Sequence, residues 1–387
     1  MPDQAAVERQ RRVVLDTDLG SDVDDALALA VLLGSPEVDL LGATTVYGDV
    51  TLRARLARGF AALAGRDLTV TAGIAEPLSG RPVWVSGDEG KHFPDVGSAP
   101  IDPNGVDWLL EQARQAPGEL EIVAIGPLTN LAYAVRTDPL FASSIRRVWL
   151  MGGLFAAPRS PSPAAQAAET AQSARPGAPA ETGGPAEMGG PAGPIGSSPT
   201  GGRPDDEPAE HNFAADAVAA DAVLRSGLPI TVLGVELTRR LRLYEPEIAE
   251  LGALGALGAQ LERETRAWTA YWNEPSDVPH DAIAVIAMLR PELFSRREAR
   301  VRVITDGEHA GRIIEDGMVD DAAKAPDVVL HAPGRIIEDG TADVVLDDAG
   351  RNRGSALTIV TDLDIPAVTR EILDRIRVAS QGEPCAT

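Results

Sequence analysis

The chain contains a single cysteine, Cys385, close to its last residue. One cysteine provides neither a disulfide framework nor a cage of thiolate metal ligands. No apolar run reaches the length of a membrane-spanning helix, and residues 1–12 are polar, without the hydrophobic core of a signal peptide. We therefore expect a cytoplasmic protein that does not associate with membranes.

Basic residues are also scarce, since the chain has 35 lysines and arginines but 58 aspartates and glutamates. The formal net charge is -23 and the sequence pI is about 4.6. Such a surface repels polyanions, which argues against nucleic acid or an anionic membrane as a partner. A small-molecule ligand is the expected alternative, although acidity does not identify it.

The 387 residues, 44% of them hydrophobic, are sufficient for a real core. Short apolar runs alternate with helical patterns. The predicted strands are residues 12–15, 38–46, 121–125, 147–151 and 229–233, and the predicted helices are residues 26–33, 51–64, 104–115, 128–135 and 282–289. This alternation predicts a single α/β domain with an open, mainly parallel, Rossmann-like sheet and helices on both faces. Ligands of such sheets bind beyond the carboxyl ends of the strands.

Residues 156–208 break this pattern, because alanine, proline, glycine and serine dominate and large apolar side chains are nearly missing. Such a segment cannot bury enough surface to offset the entropy of ordering, so we predict a disordered insertion. The domain is then expected to comprise residues 12–155 and 209–378. Separately, the sequence of residues 311–317 recurs as residues 334–340. Two copies indicate a local duplication, for example of a hairpin, and not a repeat fold.

Five carboxylates lie at the turn between the first predicted strand and the first predicted helix: Asp16, Asp18, Asp22, Asp24 and Asp25. These negative charges repel one another unless a positive charge lies among them. Oxygen ligands suit hard cations such as Ca²⁺ or Mg²⁺. One or two aspartates could cap the helix, but the helix dipole contributes at most about 1 kcal/mol at such a position. We therefore predict a cation site in this turn, which we call the acidic turn (residues 16–25).

Two other polar fragments are candidates for the same pocket. Glu210-His211-Asn212 follows the insertion, and His280-Asp281 opens an apolar helix. A structural role is an alternative for each of them. Glu210 and Asn212 could cap a helix or lie in a solvated loop, and His280 could serve the helix N-terminus alone.

Together with two glycine turns, these fragments resemble the nucleoside hydrolases of the inosine-uridine-preferring type. The motifs that support the resemblance are residues 16–26, 126–130, 151–153, 210–212 and 280–281. Each is weak evidence alone, but all of them in this order are specific. The similarity extends from about residue 12 to about residue 305, apart from the insertion.

The resemblance implies roles for residues at matching positions. It implies one Ca²⁺ as cofactor, held by the side chains of Asp18, Asp25 and Asp281 and by the backbone carbonyl of Ile125. It implies two catalytic residues, Asp18 and His280. It implies residues that contact the substrate, namely Asp24, Asp49, Met151, Glu210 and Asn212. It also leads us to expect a homodimer or homotetramer.

These residue types suit hydrolysis of the N-glycosidic bond of a ribonucleoside, which releases free base and ribose. Cleavage builds positive charge on the sugar, and nearby carboxylates stabilise that charge. Asp18 could accept the proton of a water activated by the cation, while His280 could protonate the leaving base. Such a proton transfer is typically worth about a hundred- to ten-thousand-fold in rate. Purine or pyrimidine preference is not determined by these residues.

Three departures from the family pattern bear on these roles. The first motif is two residues longer than its commonest form, so Asp22 and Asp24 compete for the ribose contact. Asp49 stands where the family often has asparagine, and an ionised carboxylate only accepts hydrogen bonds. Before Glu210, where another sugar-binding asparagine is often found, the chain has Pro204-Asp205-Asp206.

Two other classes of protein are alternatives. A phosphatase resembling the haloacid dehalogenases would use Asp16 as nucleophile, Asp18 as acid and Mg²⁺ as cofactor, and residues 315–321 resemble the late acidic loop of that family. This alternative leaves His280 and Asp281 unexplained. A non-catalytic ribose- or nucleoside-binding protein would keep calcium-dependent binding without turnover. Asp49 and the missing asparagine before Glu210 favour this alternative.

Overall fold

A computed structural model describes residues 10–84, 89–155, 209–315 and 355–382. The predicted insertion, residues 156–208, and the second copy of the repeated sequence, residues 334–340, lie outside the described residues. The first copy, residues 311–317, contributes a short strand, Ile313–Glu315, at the end of the third described range. The domain boundaries and the duplicated hairpin therefore stay predictions.

Nine strands in the described part of the chain form one sheet. They are β1 (Arg11–Thr17), β2 (Val38–Thr45), β3 (Val70–Ala72), β4 (Leu120–Ala124), β5 (Ile145–Met151), β6 (Ile230–Leu233), β7 (Phe294–Val303), β8 (Ile313–Glu315) and β9 (Ser355–Leu363). Their order across the sheet is β3-β2-β1-β4-β5-β6-β9-β7-β8. All pairs from β3 to β9 are parallel, whereas β7 runs antiparallel to β8 and β9. The expected open, mainly parallel α/β sheet is confirmed.

The helices that connect and cover the strands are α1 (Asp24–Leu33), α2 (Val50–Leu63), α3 (Gly105–Gln115), α4 (Thr129–Thr137), α5 (Phe141–Ser144), α6 (His211–Ala215), α7 (Ala217–Leu224), α8 (Val235–Thr238), α9 (Glu245–Gly252), α10 (Gly255–Trp272), α11 (His280–Leu289) and α12 (Ile365–Ala379). A 3₁₀ turn spans Pro291–Leu293. Every strand and helix predicted from the sequence is present, with ends that differ by no more than two residues. No helix among the described residues is long and apolar enough to cross a membrane.

Alternation of side chains along β1 produces two core layers. Val13 and Leu15 pack with residues of α1, α2, α11 and α12 on one face, whereas Val14 packs with residues of α3, α4 and α7 on the other. α1 and α11 are apolar on all sides, so they are buried side by side against the sheet. Their N-termini consequently lie together at the carboxyl edge of the sheet.

Candidate active site at the carboxyl edge of the sheet

Asp16, the first carboxylate of the acidic turn, is a structural residue inside β1. It is fully buried, and its Oδ1 accepts hydrogen bonds from Thr44 Oγ1 at 2.5 Å and from Asn130 Nδ2 at 2.7 Å. Burial raises the pKa of Asp16 to about 7. These bonds tie β1 to β2 and α4. A carboxylate with no solvent-accessible surface is not available as a nucleophile, which weakens the phosphatase alternative.

Three carboxylates from opposite ends of the chain meet where α1 and α11 begin. One oxygen from each of Asp24, Asp25 and Asp281 lies within 4.8 Å of the others. All three residues are buried, with 7%, 4% and 2% of their surfaces exposed. We call this set the carboxylate trio. Helix packing thus brings together residues that are more than 250 positions apart in the sequence.

The electrostatics of the carboxylate trio favour a cation. Burial, followed by the like charges of neighbouring carboxylates, raises the pKa of Asp24 to about 8 and holds the pKa values of Asp25 and Asp281 well above the usual range. Asp281 Oδ1 is buried without a hydrogen-bond partner among the described residues. Buried charges are normally paired or bound to a metal. An oxygen-only donor set with an unsatisfied buried oxygen therefore fits a hard divalent cation.

Asp18 lies beside the trio and against the turn that follows β4. Only 6% of its surface is exposed, and its negative charge contributes to the raised pKa values of Asp25 and Asp281. A Cβ atom added at Gly126 would lie 2.8 Å from Asp18 Oδ1. Ile125, whose carbonyl is the fourth predicted ligand, immediately precedes that glycine. Asp18 is nevertheless not one of the three carboxylates that lie within 4.8 Å of one another; Asp24 takes that place.

Asp277 belongs to the same acidic region and was not predicted from the sequence. It is 3% exposed, and its Oδ2 has no hydrogen-bond partner in the described part of the chain. The negative charge of Asp277 raises the pKa values of both Asp22 and Asp24. No motif marks this residue, since it stands in the Pro-Ser-Asp-Val-Pro segment ahead of the late histidine.

Glu210 is the N-cap of α6. Its carboxylate accepts the backbone N–H groups of Gly153 at 2.6 Å, Asn212 at 2.7 Å and Phe213 at 3.1 Å. Burial raises its pKa, and these hydrogen bonds oppose that rise. The geometry therefore agrees with the structural alternative for Glu210, and no observation tests its contact with a sugar.

Asn212 connects the middle motif to the ends of β4 and β5. Its side-chain amide donates to the carbonyl oxygens of Ile125 at 3.0 Å and Met151 at 3.2 Å. The structure thus brings these three predicted residues together in one buried patch. The predicted ligand carbonyl of Ile125 is consequently held in a defined orientation.

Asp49 is placed differently from the other predicted residues. It is exposed and caps α2, where its carboxylate accepts the backbone N–H of Leu52 at 2.9 Å. A capping role explains this carboxylate at the start of a helix. Its predicted contact with the substrate stays untested.

His280 begins α11 next to the carboxylate trio. Its Nδ1 lies 2.5 Å from the hydroxyl oxygen of Thr238. Burial, together with the positive charges of Arg239 and Arg242, lowers the pKa of His280 to about 3. In this state His280 is a neutral hydrogen-bonding group near neutral pH, and protonation of a leaving base would require its pKa to rise.

A groove that opens to solvent lies beside the acidic turn. Its walls combine polar and aromatic side chains from the acidic turn, α2, the loop before α3 and α10: Ser21, Asp22, Phe60, His92, Trp268 and Tyr271. Sequence reasoning assigned no role to the aromatic residues of α10.

Comparison with known proteins identifies the class to which this fold and site belong. A sequence model of the inosine-uridine preferring nucleoside hydrolases matches residues 13–370. The chain belongs to this family, and it is a nucleoside N-ribohydrolase, a glycosidase that acts on N-glycosyl compounds. The predicted resemblance is confirmed.

Relatives in sequence agree with this assignment, and solved structures share the fold. The chain is 29% identical to uridine nucleosidase 1 of Arabidopsis thaliana over an alignment of 323 residues. That alignment covers 80% of this chain and 82% of the relative. It is 30% identical over 315 residues to a non-specific ribonucleoside hydrolase of Salmonella paratyphi C, with 79% and 87% covered. The fold resembles a plant nucleoside hydrolase (TM-score 0.68, 24% identity, 95% and 98% covered) and a purine-preferring ribonucleoside hydrolase from Gardnerella vaginalis (TM-score 0.69, 22% identity, 96% and 99% covered).

Proposed function

We propose that this nucleoside hydrolase cleaves the N-glycosidic bond of ribonucleosides in a calcium-dependent reaction, releasing free base and ribose. The observation that supports the calcium dependence is the buried carboxylate trio with its unpartnered Asp281 oxygen. Three negative charges at this separation are compatible with the folded state if a cation neutralises them. Calcium suits such a site, because it accepts six to eight oxygen ligands in flexible geometry.

Four groups are proposed to hold the cation: the carboxylates of Asp18, Asp25 and Asp281 and the carbonyl of Ile125. Calcium, when bound, supplies the positive charge that lowers the pKa of a water molecule. Asp18 is proposed to accept the proton of that water, since it lies beside both the trio and the Ile125–Gly126 turn. The surrounding carboxylates stabilise the positive charge that develops on the ribose.

The remaining predicted residues are proposed to hold the substrate. Asp24 is proposed to accept hydrogen bonds from ribose hydroxyls, since its carboxylate lies beside those of the proposed ligands Asp25 and Asp281. Asn212 and Met151 form one side of the sugar site, which Glu210 supports through its hydrogen bonds to backbone N–H groups. His280 is proposed to lie near the leaving base. Asp49 is proposed as a peripheral sugar contact.

The decisive experiment is incubation with a panel of ribonucleosides that includes uridine and inosine, with detection of free base. We expect release that stops after treatment with a chelator and returns with added Ca²⁺, more effectively than with Mg²⁺. Base release that is insensitive to the chelator would contradict the calcium dependence. Calcium binding without release from any nucleoside would favour a non-catalytic binding protein.

Asp18→Ala tests the proposed proton acceptor. We expect kcat to fall by at least about a hundredfold, the lower end of the contribution of a general base. Asp107→Ala is the matched control, since Asp107 is an exposed aspartate in the first turn of α3. An unchanged kcat in the folded Asp18→Ala protein would remove the role assigned to Asp18.

The oligomeric state and the location of the protein are further proposals. We propose a homodimer or homotetramer in the cytoplasm, with nucleoside salvage as its role. Light scattering coupled to size-exclusion chromatography measures the assembly directly, and a monomeric mass would refute it.

A further inference from the structure

Arg53 is a buried arginine whose donors are directed at the acidic turn. It lies one turn after the start of α2 and is 2% exposed. Its Nε donates to the carbonyl of Tyr47 at 2.6 Å, and its Nη1 donates to the carbonyl of Leu19 at 3.2 Å and to that of Asp18. Its Nη2 donates to the hydroxyl of Ser21 at 3.2 Å. One guanidinium therefore connects the turn after β1 with the turn after β2.

The partners of Arg53 are unusual for a buried arginine. Arginine is rarely buried unless its charge is paired, and the usual partner is a carboxylate. In the described part of the chain, the hydrogen bonds of Arg53 go to backbone carbonyls and one hydroxyl. Its positive charge thus lies behind the acidic turn and partly opposes the rise in the pKa of Asp25 that burial and the neighbouring carboxylates cause. The hydrogen bonds of Arg53 leave the carboxylates available to another cation.

Tyr47 indicates that this connection holds the backbone in a strained state. Its φ of 67° lies in the left-handed region, which a bulky residue adopts only at an energetic cost. Three contacts maintain it: Arg53 binds its carbonyl, its N–H donates to the carbonyl of Ile74 at 2.9 Å, and its hydroxyl accepts the N–H of Trp84 at 2.7 Å. Strain of this kind persists where surrounding contacts fix the backbone.

We propose that Arg53 is a positioning residue for nucleoside hydrolysis, which fixes the backbone of Asp18 and thereby the direction of its carboxylate. The inference rests on the proposed role of Asp18 as proton acceptor. The planar fork of donors is the essential feature, because a lysine ammonium reaches the same carbonyls as a point charge without fixing both turns. Arg53 itself does not contact the reacting atoms.

Arg53→Lys and Arg53→Met test the proposal, and Arg58→Met is the matched control. Arg58 also lies on α2 and donates to two backbone carbonyls, those of Pro100 at 3.1 Å and Val70 at 3.3 Å, away from the acidic turn. We expect kcat to fall about tenfold in Arg53→Lys and about a hundredfold in Arg53→Met, the size of effect that an ångström of misplacement produces. KM is expected to change less than threefold, and Arg58→Met is expected to keep both constants.

Amide hydrogen exchange provides a second readout that does not depend on activity or metal. Peptides that cover residues 17–23 and 46–50 are expected to exchange at least about tenfold faster in both Arg53 variants, while Arg58→Met leaves these peptides unchanged. Unchanged exchange in both turns would overturn the proposal, as would a kcat in Arg53→Lys equal to that of the wild type. If Arg53→Met does not fold, Arg53→Lys decides alone. If the wild type releases no base, the proposed function fails, while hydrogen exchange still tests Arg53.

Discussion

Gly126→Ala is a direct test of the proposed geometry around Asp18. The added Cβ would lie 2.8 Å from Asp18 Oδ1, 2.9 Å from the backbone nitrogen of Asp18 and 2.9 Å from Val46 Cγ1. Ordinary contacts of a Cβ atom begin at about 3.4 Å. Since the crowded neighbours include backbone, the turn after β1 has to move by a few tenths of an ångström.

The magnitude follows from two separate costs. Overpacking a buried site by one methyl group typically destabilises a protein by about 1–3 kcal/mol. Catalysis is more sensitive, because misplacement by an ångström costs about a hundredfold in rate. A smaller shift of Asp18 should therefore lower kcat roughly tenfold. Weaker binding of the cation should also raise the calcium concentration that gives half-maximal activity.

Base release from uridine and inosine, measured across a calcium titration, is the assay. Gly105→Ala is the matched control, because its Cβ would lie 2.8 Å from the carbonyl oxygen of Ala72, with similar crowding at the end of β3 instead of the turn after β1. Thermal unfolding of both variants separates loss of fold from loss of function. The reasoning is refuted if folded Gly126→Ala keeps the wild-type kcat, or if Gly105→Ala loses as much.

Other predictions concern stability. Calcium at about a hundred times its Kd should stabilise the protein by about 2.7 kcal/mol and raise its Tm, and a chelator should reverse the shift; a Tm independent of calcium would contradict the site. Burial raises the pKa of Glu236 to about 7 from 4.5, so the folded state retains a proton that the unfolded state has lost, and stability should fall as the pH rises between these values. Glu236→Gln should reduce the change in the free energy of unfolding across this pH range by at most about 3 kcal/mol, as measured by denaturant titrations. The same pH dependence in the wild type and the variant would refute the raised pKa of Glu236. Glu121 is buried and accepts hydrogen bonds from Arg11 Nε at 2.9 Å and Trp149 Nε1 at 2.8 Å. Glu121→Ala leaves the buried Trp149 N–H without this acceptor and should cost about 1–3 kcal/mol. A loss of stability too small to measure would contradict this pairing.

Local patterns were sufficient to predict the fold and the chemical class. Strand and helix periodicity is a property of neighbouring residues, so β1, β2, β4, β5 and β6 and the helices α1, α2, α3, α4 and α11 could be predicted closely. The short helices α5, α6 and α7 were not predicted. β7 was not predicted, because its solvent-facing arginines obscure the alternation. The concentration of aspartates at residues 16–25 was likewise visible, and with the other motifs it was enough to indicate a nucleoside hydrolase.

The individual environments of these residues depended on the tertiary structure. Packing of α1 against α11 decides that Asp281 joins Asp24 and Asp25, and it adds Asp277, which has no motif. The hydrogen bond from the Gly153 N–H to Glu210 and the low pKa of His280 arise from neighbours distant in the sequence. Burial and the distance between charges set these properties, and both exist only after the helices have packed on the sheet.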